Sequence, residues 1–174
     1  MTRLPTPHHT TGPFFPGEFI APSESRLESA REAAIELAGR VLDGRGRPAV
    51  NVIVELWLPD GRWGRTWTDG EGRYRFLACE PHSTESGVDP AWLRPPFFRL
   101  LLVGSGIMRP LVTEVFFPDE PLNEGDRQLV AVAPERRHRL IAVAEGAPST
   151  DTGARRYRFD IILQGPDETP FFED

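Results

Sequence analysis

The chain has 174 residues, a length that suits one domain and allows a sizeable core without disulfide or metal staples. Its formal net charge of −6 argues against nucleic acid and against anionic membrane surfaces as partners. The single cysteine excludes an internal disulfide and a multi-cysteine metal site. No apolar run approaches the ~20 residues that span a bilayer. The first residues also lack the apolar stretch of a signal peptide, so we expect a cytoplasmic protein.

The first 22 residues are rich in proline and show neither helical nor strand periodicity. They predict an extended arm over residues 1–22, followed by a domain over residues 23–174. The arm carries large apolar side chains that need burial against the chain's own domain or against a neighbouring chain. These side chains are Phe14, Phe15, Phe19 and Ile20.

The rest of the chain consists of short apolar runs between turns, and the whole sequence has 18 prolines and 16 glycines. The capping-box spacing of Ser25 and Glu28 predicts a short helical turn at residues 25–31. Alternating polar and apolar residues predict strands, and residues 80–96 predict a long loop. The pattern indicates an all-β fold, an antiparallel β-sandwich of about eight strands. The predicted strands are residues 35–42, 50–58, 62–68, 73–79, 97–103, 111–116, 138–144 and 156–163.

The side chains able to do chemistry form no catalytic constellation in the sequence. Cys79 precedes His82 by three residues, but such a pair needs spatial rather than sequential proximity, so we interpret Cys79 as a buried, inert thiol. An enzyme that uses Cys79 and His82 remains a remote alternative. Tyr74 and Tyr157 lie in alternating strands, which favours structural roles. The four histidines lack the spacing of a metal site; they are His8, His9, His82 and His138.

Six segments nevertheless form a recognisable, collinear pattern over nearly the whole chain. The most specific is YRFDIILQGPDETPFFED at residues 157–174, and TPHHTTGPFF at residues 6–15 opens the pattern. Between them lie GRVLDGRGRPAVNVIVELW (39–57), GRTWTDGEGRYRF (64–76), GSGIMRPLVTEVFFPDE (104–120) and VAPERRHRLIA (132–142). Together they resemble the α subunits of the protocatechuate 3,4-dioxygenases, within the family of intradiol ring-cleaving dioxygenases.

The resemblance implies a family that holds non-haem Fe(III) with two tyrosines and two histidines and opens catechols between their hydroxyl groups. The two histidine positions, in an H-x-H after R-P, correspond to Phe97 and Arg99 in this chain. The loop that carries one tyrosine is missing between Trp57 and Gly64, and the place of the other reads PHST at residues 81–84. Phenylalanine cannot coordinate a metal and guanidinium repels Fe(III). We therefore expect no catalytic residue and no metal ligand in this chain.

The resemblance also implies a partner. In the two-chain members a homologous β subunit carries the iron, and the opening arm of the α subunit reaches the partner's site. By this match Thr10, Pro13, Phe14 and Ser105 line a substrate cleft at the subunit interface. Ser105 stands where many α subunits have an arginine that faces the cleft.

Two functions follow as hypotheses. The first is an iron-free α-type subunit that completes the cleft of an iron-bearing β chain, which binds a catechol-type aromatic acid and O2. The second is a non-catalytic interaction or scaffold domain that is descended from the same family. The identity of the partner separates these two hypotheses.

Overall fold

The computed structural model describes residues 26–27, 35–87, 89 and 91–173. Within these ranges the chain forms twelve strands, which assemble into two large sheets and one small hairpin. The prediction of an all-β sandwich is therefore confirmed. The predicted arm at residues 1–22 lies outside the described residues, as do Thr10, Pro13 and Phe14.

The first sheet has six strands in the order β1-β5-β2-β11-β10, and β12 also pairs with β2. Its pairs are mixed, because β1 runs parallel to β5 while β11 and β12 run parallel to β2. The other strand pairs of the sandwich are antiparallel, as the sequence predicts. The strands are β1 (Arg26–Leu27), β2 (Ile35–Leu42), β5 (Arg73–Ala78), β10 (Val143–Glu145), β11 (Arg155–Arg158) and β12 (Ile161–Ile162).

The second sheet has four strands in the order β4-β3-β8-β9, all antiparallel to their neighbours. A separate hairpin of two short strands, β6 (Thr84–Glu85) and β7 (Leu93–Arg94), lies within the segment predicted as a long loop. The four strands are β3 (Val52–Trp57), β4 (Trp63–Trp67), β8 (Phe97–Gly104) and β9 (Leu111–Phe116).

The two large sheets enclose one apolar core. Successive side chains of a strand point to opposite faces, and the inward set of β8 is fully buried: Phe98, Leu100 and Leu102. It shares one cluster with inward residues of the other sheet, among them Leu37 of β2 and Phe76 of β5. Burial of these side chains supplies the main driving force for folding.

A short helical region follows β9. It comprises a 3-10 helix (Pro121–Gly125), α1 (Arg127–Ala131), α2 (Pro134–Arg137) and a second 3-10 helix (His138–Leu140). The region places Leu129 and Leu140 against Phe97 and Phe116, in a small apolar cluster at one end of β8 and β9. No helix in the described ranges is long and apolar enough to cross a membrane.

The structure corrects three sequence predictions. The strand expected at residues 138–144 is wrong, because Pro134 starts a helix in its first position and Leu140 ends that helical region buried beside Phe97. Only Val143–Glu145 forms the expected pairing with β11. The helical turn expected at residues 25–31 is a strand at its described residues, β1. The strand count exceeds eight because the short pieces β1, β6, β7 and β12 are separate elements.

The close contact between β2 and the end of β11 fixes the first sheet. The Phe159 amide donates to the Ala38 carbonyl at 2.9 Å, and the Tyr74 hydroxyl donates to the Phe159 carbonyl at 2.6 Å. Burial, together with the charge of Asp160, raises the pKa of Tyr74 well above its ordinary value. Tyr74 is therefore a neutral structural hydrogen-bond donor.

Gly39 is the residue that permits this contact, since a Cβ atom there would lie 1.8 Å from the Phe159 carbonyl oxygen. We expect Gly39→Ala to lower the free energy of unfolding by about 3 kcal/mol or more, because backbone atoms must move apart. Gly70→Ala is the matched control, since its Cβ would have no atom within 4 Å. Urea denaturation of both variants measures the difference, and equal stabilities would contradict the contact.

Glu36 of β2 makes stability depend on pH. It accepts a hydrogen bond from Arg75 at 2.7 Å, and this bond is the main cause that holds its pKa below the ordinary 4.5, against the opposing effect of burial. A pKa that is lowered in the folded state stabilises the fold above the ordinary value, and the contribution is lost as the pH falls through the folded-state pKa.

We therefore expect Glu36→Gln to cost about 1 kcal/mol of stability at pH 7 and progressively less as the pH falls below 4.5. Chemical denaturation across this pH range provides the measurement, with the exposed Glu124→Gln as a control. A stability difference that does not change with pH would rule out the role of the ionised carboxylate.

Candidate functional site

A cavity of about 660 Å³ opens at the start of β8, beside the β6–β7 hairpin. Phe97 and Arg99, the positions that the sequence match assigned to the two histidines, both line it. Leu58 and Pro59 from the shortened segment after Trp57 line it as well, and so does Thr84, which ends the PHST segment. The fold thus brings at least one residue from each of the four compared places to one cavity.

Arg94 forms a buried ionic cluster at this cavity. Its Nε donates to Asp126 at 3.0 Å, while Nη1 and Nη2 donate to Glu114 at 3.1 and 2.7 Å. The three side chains are 8%, 0% and 2% exposed, respectively. The guanidinium carbon also lies 4.0 Å from the centroid of the Phe97 ring, within the range of a cation–π interaction.

The charge of Arg94 is permanent. Burial alone would lower the pKa of its guanidinium, but hydrogen bonds and charges from Glu114 and Asp126 outweigh burial and raise that pKa. Asp126 also caps α1, because its carboxylate accepts the Leu129 amide at 2.9 Å. One cation therefore connects β7, β9 and the helical region.

Arg99 carries the second guanidinium group that lines the cavity, and its side chain is more exposed than that of Arg94. It lies directly opposite Glu114 on β9 and opposite Trp57 on β3. Its Nη2 donates to Glu114 at 3.2 Å, to the same oxygen that accepts from Arg94. The side chain is 46% exposed, so it reaches both the buried cluster and the open part of the cavity.

The residues of this cavity do not fit a ferric centre of the family's kind. Phe97 offers no lone pair, and Arg94 and Arg99 bring positive charge to the place where a cation would have to bind. The described lining contains neither tyrosine nor histidine. No group of three or more His, Cys, Asp and Glu side chains with the geometry of a metal site occurs in the described ranges.

Ser105 lies at the other end of β8, in the exposed turn before β9. It lines a separate cavity of about 420 Å³ with Asp43, Met108 and Arg109 among its neighbours. Arg109 pairs with Glu173 at 3.1 Å. Within one chain, Ser105 therefore does not meet the cavity that contains Phe97.

The remaining candidates have structural surroundings. Cys79 is buried in the main core, and its Sγ lies 3.7 Å from the Leu27 carbonyl oxygen. His82 is exposed, so this thiol and this imidazole face different environments. The Tyr157 ring packs edge-on against Phe117 at 5.0 Å between ring centroids.

The ionic cluster generates a stability prediction. Arg94→Leu leaves Glu114 and Asp126 buried without their counter-charge, so we expect a loss of about 3–5 kcal/mol in the free energy of unfolding. Arg136→Leu is the control, because Arg136 pairs with Glu168 at 3.6 Å on the surface, where such pairs contribute about 0–1 kcal/mol. Urea denaturation measures both changes, and a loss below about 1 kcal/mol for Arg94→Leu would refute the assigned role.

No family model matches the sequence, but known proteins do. The chain is 35% identical over 156 residues to the protocatechuate 3,4-dioxygenase beta chain of Burkholderia cepacia, covering 78% of this chain and 66% of that one. It is 28% identical over 204 aligned positions to the alpha chain of the same enzyme from Burkholderia cepacia, covering 99% and 100%.

A solved structure supports the fold. The dioxygenase domain of a dioxygenase carbohydrate-binding protein fusion from Streptomyces sp. SirexAA-E matches with a TM-score of 0.61 and 19% identity, covering 95% of this chain and 99% of that chain. At this identity the match concerns the fold alone. On the sequence similarity to these two chains of Burkholderia cepacia, this chain belongs to the intradiol dioxygenase family.

Proposed function

We propose that the chain is an iron-free α-type subunit of a heteromeric intradiol dioxygenase. It completes the catechol-binding cleft of an iron-bearing β chain, and it has no catalytic residue of its own. The observation that carries the proposal is the pair Phe97 and Arg99 on the cavity wall, beside the buried cation of Arg94. These side chains occupy the compared positions with groups that cannot hold Fe(III).

The two curated relatives bear on the choice between α and β roles. The match to the alpha chain spans both sequences nearly end to end. The match to the beta chain has the higher identity but spans 66% of that chain, and the compared positions lack the family's two tyrosines and its H-x-H motif here. The end-to-end match and the changed positions together support the α-type role.

The proposed cleft residues are Thr10, Pro13, Phe14 and Ser105. Residues 1–22 act as an arm that reaches the partner, and residues 23–174 form the sandwich domain. Ser105 lies in an exposed turn and lines its own cavity, at the opposite end of β8 from Phe97. A partner chain can therefore approach Ser105 without contacting the cavity at Phe97.

The proposed substrate is a catechol-type aromatic acid, and O2 is the co-substrate. The iron held by the β chain would supply the chemistry that opens the catechol ring between its two hydroxyl groups. A substrate carboxylate needs a cationic or hydrogen-bonding partner, and Ser105 supplies a hydroxyl group in place of a guanidinium. Two alternatives follow: the β chain provides the positive charge, or the substrate is a catechol other than protocatechuate. The proposed location is the cytoplasm, and neither nucleic acid nor membrane is a partner.

Co-expression with a β-type chain that has both tyrosines and the H-x-H motif tests the proposal. We expect the lone chain to be colourless and free of iron, and the complex to hold iron. The complex should absorb visible light through tyrosinate-to-iron charge transfer and consume O2 with catechol acids. Stoichiometric iron in the lone chain would overturn the proposal.

A point variant tests the arm in the same complex. Phe14→Ala should lower kcat/KM roughly tenfold or more, because a buried phenyl group contributes about 1.5–3 kcal/mol. Val143→Ala, at a side chain that is 53% exposed on β10, serves as the control. If a pull-down with this chain recovers only copies of itself and never a β-type chain, the chain is instead the non-catalytic interaction domain of the second hypothesis.

A further inference from the structure

The cavity at the start of β8 has the size and walls of a small-molecule site. Its volume of about 660 Å³ lies within the usual range for ligand pockets, roughly 300–1,000 Å³. The walls include the aromatic side chains Trp57, Trp92 and Phe97, with Leu101 and Val112 beside them. Trp57 is held in place, since it stacks on Trp63 at 5.3 Å between ring centroids and donates its Nε1 hydrogen to Glu55 at 3.2 Å.

Arg99 places an available cation among these rings. Trp57 lies directly across from it on β3, and Phe97 lies two residues earlier on the same face of β8. Its one hydrogen bond to a described residue is the 3.2 Å contact from Nη2 to Glu114. Nε and Nη1 have no acceptor among the described residues, and Nη2 keeps a second hydrogen, so one edge of this half-exposed guanidinium can donate to a ligand.

Arg94, unlike Arg99, is not available to bind a ligand. All three of its nitrogen atoms already donate to Glu114 and Asp126. The four side chains Arg94, Arg99, Glu114 and Asp126 balance in charge, so a bound anion would gain mainly from direct hydrogen bonds to Arg99. A guanidinium edge matches the two oxygens of a carboxylate.

Trp92 adds a polar group that lacks a partner. Its Nε1 is buried and has no acceptor among the described residues. Its ring lies near two guanidinium groups, with the Arg94 and Arg127 carbons 5.3 and 5.0 Å from the ring centroid. A buried donor without an acceptor is costly, and an oxygen atom of a ligand would satisfy it.

We propose that this cavity binds a small aromatic carboxylate without any metal. The ring of the ligand packs against Trp57 and Phe97, its carboxylate binds the free edge of Arg99, and Trp92 Nε1 donates to a ligand oxygen. The proposal concerns the single chain and does not depend on an iron-bearing partner. If the proposed function fails its test, the binding proposal still holds, and if the binding proposal fails, the proposed function still holds.

To test the proposal, the full chain is titrated with benzoate in the presence of EDTA. Calorimetry and tryptophan fluorescence measure the binding. We expect saturable binding with quenched fluorescence. Benzamide, the neutral analogue of benzoate, should bind at least tenfold more weakly because it lacks the charge that Arg99 recognises. Equal affinity for benzoate and benzamide, or no saturable binding, would overturn the proposal.

Matched variants locate the site. Arg99→Gln should weaken benzoate binding at least tenfold, while Arg136→Gln should not change it, because Arg136 is 40% exposed and pairs with Glu168 outside the cavity. Trp92→Phe keeps a ring but removes the N–H, so we expect a loss of several-fold. Circular dichroism verifies that each variant is folded. Unchanged binding by folded Arg99→Gln would refute the assignment.

Discussion

The ion pairs of Arg94 determine how the rest of the site is built. One guanidinium, contributed by β7, binds a carboxylate of β9 and the carboxylate that caps α1. These three elements come from distant parts of the sequence, and their contact encloses one side of the cavity. A buried pair of this kind is stabilising only while all of its members are present. The hairpin, the second sheet and the helical region thus depend on each other.

The same cluster explains how a chain of this family keeps its shape while its ligand positions have changed. Here Arg94 provides a fixed positive charge next to Phe97, so the surrounding carboxylates have a counter-charge. The cavity remains open and is lined with aromatic rings.

Much of the sandwich could be predicted from alternation alone, because β2, β3, β5, β8 and β9 each bury alternate or continuous apolar residues. The segment before Val143 misled the same reasoning, since its apolar residues pack from a helix onto Phe97 instead of joining a sheet. The ionic cluster was missed because its members are 20 and 32 positions apart in sequence. The one signal was Glu114, a lone charge in an otherwise uncharged strand. Trp92 gave no signal, as its loop has no periodicity.

The separation of the two cavities along β8 affects how the sequence of such a chain can evolve. Eight residues at ~3.3 Å each hold Phe97 and Ser105 roughly 25 Å apart on a rigid strand. Substitutions that accumulate at one end need not disturb packing at the other. A lineage can therefore abandon the chemistry of one end while natural selection continues to preserve the other.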